Sequence, residues 1–301
     1  MQAARLYGPR DMRLETVPDL PPPGPGEAQI RVTTVGICGS DLHTWASGEI
    51  GDTKLQGPLV LGHEFAGVVE GVGPEVTHLK VGDRVAVDPA QPCGHCECCQ
   101  AGHPHLCRRL HFCGLWPDDG ALREQINVPA EGCFPVPDSL SDDDAAMLEV
   151  FGIAIHAVDL GHVRPGRSAA VLGCGPVGLS IIQMARVAGA RPIFATDRIA
   201  PRLEAARRYG ADEVFNVDQV DATAEILQRT DGLGVYVSFE AAWADVTVEQ
   251  AAAITRPAGR VVLVGIPAED KLTMRPSVAR RKGLTMLFSR RMKFTYPRAI
   301  E

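Results

Sequence analysis

The densest chemistry in the 301-residue sequence lies in Cys93-Gly94-His95-Cys96-Glu97-Cys98-Cys99, followed by Cys107. Taken as Cys93, Cys96, Cys99 and Cys107, the spacing is C-x2-C-x2-C-x7-C. Four thiolates so spaced can wrap tetrahedrally around one Zn2+ in a closed structural site. Four cysteines can also hold an iron–sulfur cluster, and the spacing leaves that alternative open. A second set is more scattered: Gly36-Ile37-Cys38-Gly39-Ser40-Asp41-Leu42-His43 and Gly62-His63-Glu64. An isolated cysteine is usually a small buried hydrophobe. Cys38 and His63 are nevertheless soft and borderline ligands suited to Zn2+, and Glu64 adds a carboxylate oxygen. Three protein ligands with one open position make a catalytic zinc pattern.

A third set is Gly173-Cys174-Gly175-Pro176-Val177-Gly178, directly after the apolar run Ala169 to Leu172 and opening a helical pattern. Gly173 permits a tight turn, Gly175 lets the backbone approach a pyrophosphate, and Gly178 allows close packing of the helix. Pro176 and Val177 begin that helix, whose unpaired N–H groups would face the phosphates. Asp197 lies nineteen residues beyond Gly178, at the end of the next apolar run, where a carboxylate can accept both ribose hydroxyls. Such a carboxylate repels a 2′-phosphate, so NAD is expected in preference to NADP. Arg198 and Arg202 are the residues nearby that could pair with a phosphate.

These groups need a scaffold, and the composition describes one. Hydrophobic residues make up 45%, charged residues 22% and aromatics 5%, values of a globular chain rather than a disordered or coiled-coil one. At about 150 residues per domain, the length suggests two domains. Thirty Lys+Arg against thirty-seven Asp+Glu give a net charge of -7, which disfavours nucleic acid as a partner. No apolar run approaches the ~18 to 20 residues that span a bilayer, and Met1 to Arg10 has no apolar signal core, so no membrane association and a cytoplasmic location are expected. Five of the nine cysteines fall between residues 93 and 107, which points to metal in a reducing compartment rather than to a disulfide framework.

The first half reads as short strands, Gln29 to Val35, Phe65 to Gly71 and Arg84 to Val87, punctuated by glycine and proline. Ser141 is an N-cap candidate ahead of an acidic first turn and a long apolar helix, Ala145 to Leu160, that joins the halves. Apolar runs then alternate with helical patterns. Strands are expected at 169–172, 193–196, 213–216, 235–239, 261–264 and 284–288, and helices at 177–188, 201–209, 219–228 and 245–254. Alternation at this spacing predicts a parallel sheet covered on both faces.

The runs Cys38-Gly39-Ser40-Asp41-Leu42-His43 and Gly62-His63-Glu64-Phe65-Ala66-Gly67, the cysteine quartet, and the glycine fingerprint with Asp197 occur in one order along essentially the whole chain. In this the sequence resembles the zinc-dependent medium-chain alcohol dehydrogenases, and among them the polyol (sorbitol or L-iditol) dehydrogenases. The resemblance implies an α/β protein. An irregular, mostly-β GroES-like catalytic domain would occupy 1–152, a doubly wound Rossmann domain for NAD 153–288, and the start of a segment returning to the first domain 289–301. Relatives continue past the position of Glu301, so a shortened closing segment is expected.

The resemblance also assigns roles. Cys38, His63 and Glu64 would hold a catalytic zinc. Glu149 would stand where many alcohol dehydrogenases have a cysteine ligand. Asp41 would accept a hydrogen bond from the ring of His63, Ser40 and His43 would carry the alcohol proton to solvent, and Arg291 would hold an additional substrate hydroxyl. The implied reaction is hydride transfer from a secondary alcohol of a polyol to NAD+, giving a ketose. L-threonine or 2,3-butanediol oxidation is the alternative within the class, and a non-catalytic, zinc-stabilised NAD(H)-binding protein the alternative outside it. The apolar runs Val261 to Ile266 and Leu284 to Phe288 lie where relatives pair sheet edges, so a homodimer or homotetramer is expected.

Overall fold

A computed structural model describes residues 1–267 and 271–301 and divides the chain into two compact units, residues 1–149 with 296–301 and residues 150–295. The first unit is built on β1 (Glu27–Gly36), α1 (Gly39–Ser47), β2 (Glu64–Val72), β3 (Arg84–Val87), β4 (Gln125–Pro129) and β5 (Cys133–Pro135). The five strands form an antiparallel sheet in the order β4-β1-β2-β3-β5. Period-two burial drives it: Ala28 and Ile30 of β1 are wholly buried while Arg31 between the strands' polar positions is exposed. With Phe65, Val69, Val85, Val87 and Ile126 they make the core of this unit. The β1–β2 register slips between Gln29 and Ile30 and again between Val32 and Thr34. Such bulges bend a strand and re-aim its end.

Helix α1 interrupts a region that the sequence reading treats as strand and loop. Its opening Gly39-Ser40 is poor helix former, so the start depends on a cap: the Asp41 carboxylate accepts the Cys38 N–H at 3.0 Å. Gly48 ends it in the left-handed region at φ 76 and returns its N–H to the Thr44 carbonyl.

Helix α2 (Asp142–Gly161) starts where the sequence predicts, with a reciprocal cap between Ser141 and Asp144 and three acids in the first turn. The division between the two units, and the expected boundary at 152, both fall inside this helix. Across the turn, Arg84 of β3 donates to Asp142 at 2.7 Å and to the Leu140 carbonyl at 2.7 Å. The terminal helix Tyr296–Ile300 packs in the first unit, where the ring of Tyr296 stacks on Phe134 and its hydroxyl donates to the Val87 carbonyl.

The second unit alternates β6 (Ala169–Leu172), α3 (Pro176–Val187), β7 (Ile193–Asp197), α4 (Ala200–Arg208), β8 (Glu213–Asn216), α5 (Ala222–Arg229), β9 (Val235–Glu240), α6 (Asp245–Ile254), β10 (Thr255–Leu263), α7 (Pro276–Lys282) and β11 (Thr285–Phe288). Its six strands are all parallel, in the order β8-β7-β6-β9-β10-β11. Every residue of β6 is buried because both faces are covered: Ala169 and Val171 pack with Ile181, Ala185 and Leu203, while Ala170 and Leu172 pack with Ile226, Val248 and Ala251. The strand order reverses beside β6, the position where doubly wound sheets open a crevice at the strand ends.

In the second unit two element starts depart from the sequence reading by three residues or more, and the helix Pro276–Lys282 was not expected. Helix α5 starts at Ala222 rather than 219, because the Asp221 carboxylate caps it by accepting from the Thr223 and Ala224 N–H groups. Strand β10 begins at Thr255, directly after α6, instead of at 261. Its pairing jumps from Val235↔Thr255 to Val237↔Arg260, leaving Arg256 to Gly259 as a bulge. The glycine and proline there read as a loop in sequence; the flanking residues pair because the sheet supplies a neighbour.

Candidate active site

Two groups of donors come together in the first unit, each with its ligand atoms within 4.8 Å of one another: Cys38, His63 and Glu64, and Cys93, Cys96, Cys99 and Cys107. The first group depends on the sheet. Cys38 sits where β1 runs out and α1 is capped, and Glu64 opens β2, paired directly with Gly36. A side chain at Gly36 would occupy the space of the Glu64 carboxylate, so this glycine is a condition of the site that the sequence reading did not single out. Its signal was its place two residues before Cys38. Asp41 ties the parts together: one oxygen accepts the Cys38 N–H, and the other accepts the Gly62 N–H at 3.2 Å and lies 3.5 Å from the His63 Nδ1. The ring of Phe112 covers His63 at 5.3 Å between centroids.

The electrostatics are those of a buried acidic nest. His63, Glu64, Asp41 and Glu149 are 6%, 7%, 4% and 4% exposed. Burial opposes the charged His63 imidazole, but hydrogen bonds to Asp41 and Cys38 and the charges of Asp41 and Glu149 outweigh it, holding the ring well above its ordinary pKa. Burial raises Glu64, partly countered by His63. Glu149 is pushed up to about 8 by burial, with His63 pulling down and Glu64, Asp88 and Asp41 adding repulsion. Three carboxyl groups and a thiol thus share a single basic group, so acidic groups are in excess. A thiol, an imidazole and a carboxylate within reach of one point, beside further acids, therefore suit a divalent cation of the borderline-soft kind. Glu149 is not among the donors gathered within 4.8 Å; it is coupled to them electrostatically.

Ser40 and His43 are neighbours on α1, three residues apart, both half-buried. Burial lowers the His43 pKa, which favours the neutral form of the imidazole.

The cysteine quartet is carried by a loop and two single turns, 97–100 and 104–106. The Cys96 sulfur lies 3.5 Å from that of Cys99 and 3.8 Å from that of Cys107. A tetrahedron with Zn–S bonds of about 2.3 Å has edges of about 3.8 Å. The Cys107 sulfur accepts the N–H groups of Cys93 and Arg109. N–H bonds from Cys99 and Arg108 draw Cys96 down to about 6, while burial and its sulfur neighbours push Cys99 up to about 12. The set thus holds protons that a dication would displace. Cys98 stays outside it. Cys113, Cys133 and Cys174 are buried, and burial pushes them to about 11, 12 and 12, so they are inert thiols.

In the second unit, the glycine turn joins β6 to α3. Gly173 adopts φ 99, and a side chain at Gly178 would collide with the Gly173 carbonyl, so these two serve the protein's own packing. Gly175 differs: a side chain there would meet nothing of the protein. The backbone there is open at the start of α3, where Pro176 occupies the first turn and Val177 follows, so the protein itself leaves room for a ligand beside it. The Asp197 carboxylate, at the end of β7, accepts the N–H groups of Cys174 at 2.7 Å and Ile199 at 2.9 Å, leaving acceptor capacity on both oxygens. Arg202 lies 4.0 Å from it. Arg291 belongs to this unit, half-buried in a bend at φ 54. His156 is packed within α2 and joins no donor group.

Comparison with known proteins agrees with this architecture. Residues 24–138 match the alcohol dehydrogenase GroES-like domain and residues 176–301 the zinc-binding dehydrogenase model. The sorbitol dehydrogenase of Bacillus subtilis is 38% identical over 301 residues, covering 100% of this chain and 85% of its own. Among solved structures, an oxidoreductase/dehydrogenase of unknown specificity from Escherichia coli superposes with a TM-score of 0.94 at 32% identity, over 99% of this chain and 86% of its own. The 2R,3R-butanediol dehydrogenase of Bacillus subtilis does so with a TM-score of 0.88 at 34% identity, over 99% and 86%. The chain belongs to the zinc-dependent medium-chain alcohol dehydrogenases and is an oxidoreductase.

Proposed function

We propose that the protein oxidises a secondary alcohol of a polyol to a ketone, passing hydride to NAD+. The observation that carries this reading is the convergence of Cys38, His63 and Glu64 with a buried carboxylate, Glu149, beside them. The sorbitol dehydrogenase relative supports the polyol class. On this reading residues 1–149 with 296–301 form the zinc-bearing catalytic domain and residues 150–295 the NAD domain.

Cys38, His63 and Glu64 would hold the catalytic Zn2+, with Glu149 acting on it directly or through water, and Cys93, Cys96, Cys99 and Cys107 would hold a structural one. When bound, the catalytic ion supplies the Lewis acidity that lowers the pKa of the substrate hydroxyl, and NAD+ supplies the hydride acceptor. Asp41 fixes the tautomer and orientation of His63. Ser40 accepts the hydroxyl proton and hands it to neutral His43, which releases it to solvent. The C–H electron pair of the carbinol carbon leaves as hydride, so the products are a ketone, NADH and one proton. Gly173, Gly175, Pro176, Val177 and Gly178 would receive the pyrophosphate. Asp197 would receive the ribose, favouring NAD, with Arg202 beside it and Arg291 reserved for an extra substrate hydroxyl.

Among the described residues no helix is long and apolar enough to cross a membrane. Nine cysteines outside any disulfide fit a reducing compartment, and we place the protein in the cytoplasm. Among the described residues strand β11 pairs with β10 alone, and it exposes Phe288, which suits a homodimer or homotetramer; light scattering would count the subunits.

The test is NADH absorbance with sorbitol, xylitol, L-threonine and 2,3-butanediol, each with and without a chelator. Chelator-sensitive turnover of a polyol is expected; no turnover of any polyol would overturn the reading. Preference for 2,3-butanediol would favour the second reading, to which the butanediol dehydrogenase likeness lends weight.

A further inference from the structure

The second unit carries a basic cavity at the end of its sheet opposite the glycine turn. Its volume is about 370 Å³, and its lining includes His162, Arg164, Arg167, Tyr236, Arg256 and Arg260 but no carboxylate. Arg167 precedes β6 and Gly173 follows it, which at roughly 3.3 Å per residue puts the cavity on the order of 15 to 20 Å from the turn. It is a separate place.

The arginines here differ from several others in the unit. Arg186, Arg198 and Arg275 each meet a carboxylate at 2.5 to 3.0 Å. Among the described residues, Arg164, Arg167, Arg256 and Arg260 form no ion pair; the guanidinium carbons of Arg256 and Arg167 stand 4.1 Å and 4.5 Å from the centroid of the Tyr236 ring, and Arg260 donates to the Leu160 carbonyl. The bulge Arg256 to Gly259, with Ala258 at φ 58, is what swings Arg256 onto that ring. Two guanidiniums gathered on one ring repel each other, and nothing in the lining neutralises them. Planar forks of N–H donors match phosphoryl oxygens two at a time, and the volume suits a small ligand.

We propose that this cavity binds the phosphoryl group of a small anion, either inorganic or a phosphate ester. Arg167 and Arg256 supply the forks, held by Tyr236, and Arg164 and Arg260 complete the positive wall. Binding here neutralises the cluster and should stabilise the second unit by mass action.

The experiment titrates the full chain with inorganic phosphate, pyrophosphate and a hexose 6-phosphate at fixed ionic strength. It follows heat of binding and melting temperature in the wild type, Arg164→Gln, Arg256→Lys and the Arg167→Gln/Arg256→Gln double variant. Saturable binding is expected, weakened about tenfold or more in the double variant and less in Arg256→Lys, which keeps charge but loses the fork. NADH binding should be unchanged in all of them. A tighter ester than pyrophosphate assigns the ligand to a phosphate ester, and the reverse order to an inorganic anion. Binding of equal strength in wild type and variants would overturn the proposal by placing the anion elsewhere. So would no binding in the wild type. A change of subunit number in Arg164→Gln, with no anion response in the wild type, would assign the arginines to a protein interface. Should the double variant fail to fold, the two single variants carry the comparison.

Discussion

The two donor groups of the first unit are made of similar atoms and built in opposite ways. The cysteine quartet spans residues 93–107 and is closed by its own loop: its sulfurs bond to one another's neighbours, and the N–H groups that steer them come from Cys93, Cys99, Arg108 and Arg109. The Cys38–His63–Glu64 group is assembled by a sheet that brings the end of β1 against the start of β2, with α2 contributing Glu149 from far along the chain. A locally closed, four-sulfur set has no vacancy for a substrate and can only add stability. The other gathers three donors of different types and has further carboxylates buried near it, with protonation shifted upward mainly by burial. On the proposed function, the difference separates a clamp from a reaction centre.

Substitutions should divide along that line. The largest effect is expected from His63→Ala or Cys38→Ser. Loss of one donor of three should lower kcat by on the order of a thousandfold, the several kcal/mol that a Lewis acid contributes, while melting temperature and NADH binding change little. Turnover above a tenth of wild type would make the two groups alike and break the contrast. Cys96→Ser should do the reverse. With the clamp opened, we expect a fall in melting temperature on the order of 5 to 10 °C and loss of one zinc per chain by elemental analysis, with activity per folded molecule within about threefold of wild type.

Next in size is Asp41→Asn. It keeps the shape but weakens the cap on α1 and the grip on His63, so about a 10- to 100-fold loss of kcat or metal affinity is expected, recovered partly at high zinc. The glycine turn allows a parallel contrast. Gly175→Ala should leave stability intact and weaken NADH binding, measured by fluorescence, whereas Gly178→Ala should lower melting temperature first.

The smallest effect concerns Asp142. Its hydrogen bond and charge contact with Arg84 hold its pKa below the ordinary carboxylate value. The contact therefore contributes stability that is complete above the unfolded pKa, about 4, and is lost as pH falls through the lower folded value. Both groups are partly exposed, so at pH 7 Asp142→Asn should cost less than about 1 kcal/mol, and the gap in denaturant midpoint from wild type should narrow as the pH is taken down through the folded value. A gap that persists at low pH would mean that the cap rather than the ion pair matters.

Legibility in the sequence followed the same division. The quartet, the glycine turn and the alternation of strands and helices in the second unit all depend on neighbours a few residues away, and period and spacing reveal them. Helix α1 was not visible, because its first residues are poor helix formers and its cap is the carboxylate of Asp41, a residue that reads as part of a metal motif. Gly36 was part of the Cys38 run without a role of its own, which it gains from Glu64 lying against it. The stretch Arg290 to Pro297 drew attention for Arg291, whereas it is Tyr296 that reaches the carbonyl of Val87, 209 residues away in sequence. Nothing in local pattern encodes a contact of that span.

By itself, then, the sequence determined which donors exist, which four of them lie close enough to close a loop on one ion, and that a nucleotide turn follows a buried strand. Only the tertiary structure decided that Cys38, His63 and Glu64 meet, that Glu149 is buried beside them and pushed up to about 8, and that four arginines at the far end of the sheet share a cavity without an acid. The reason is physical. Ligand spacing within a loop is set by bond lengths and dihedrals, whereas burial, and with it every shift in protonation and every unmatched charge, is a property of what the rest of the chain packs around a group.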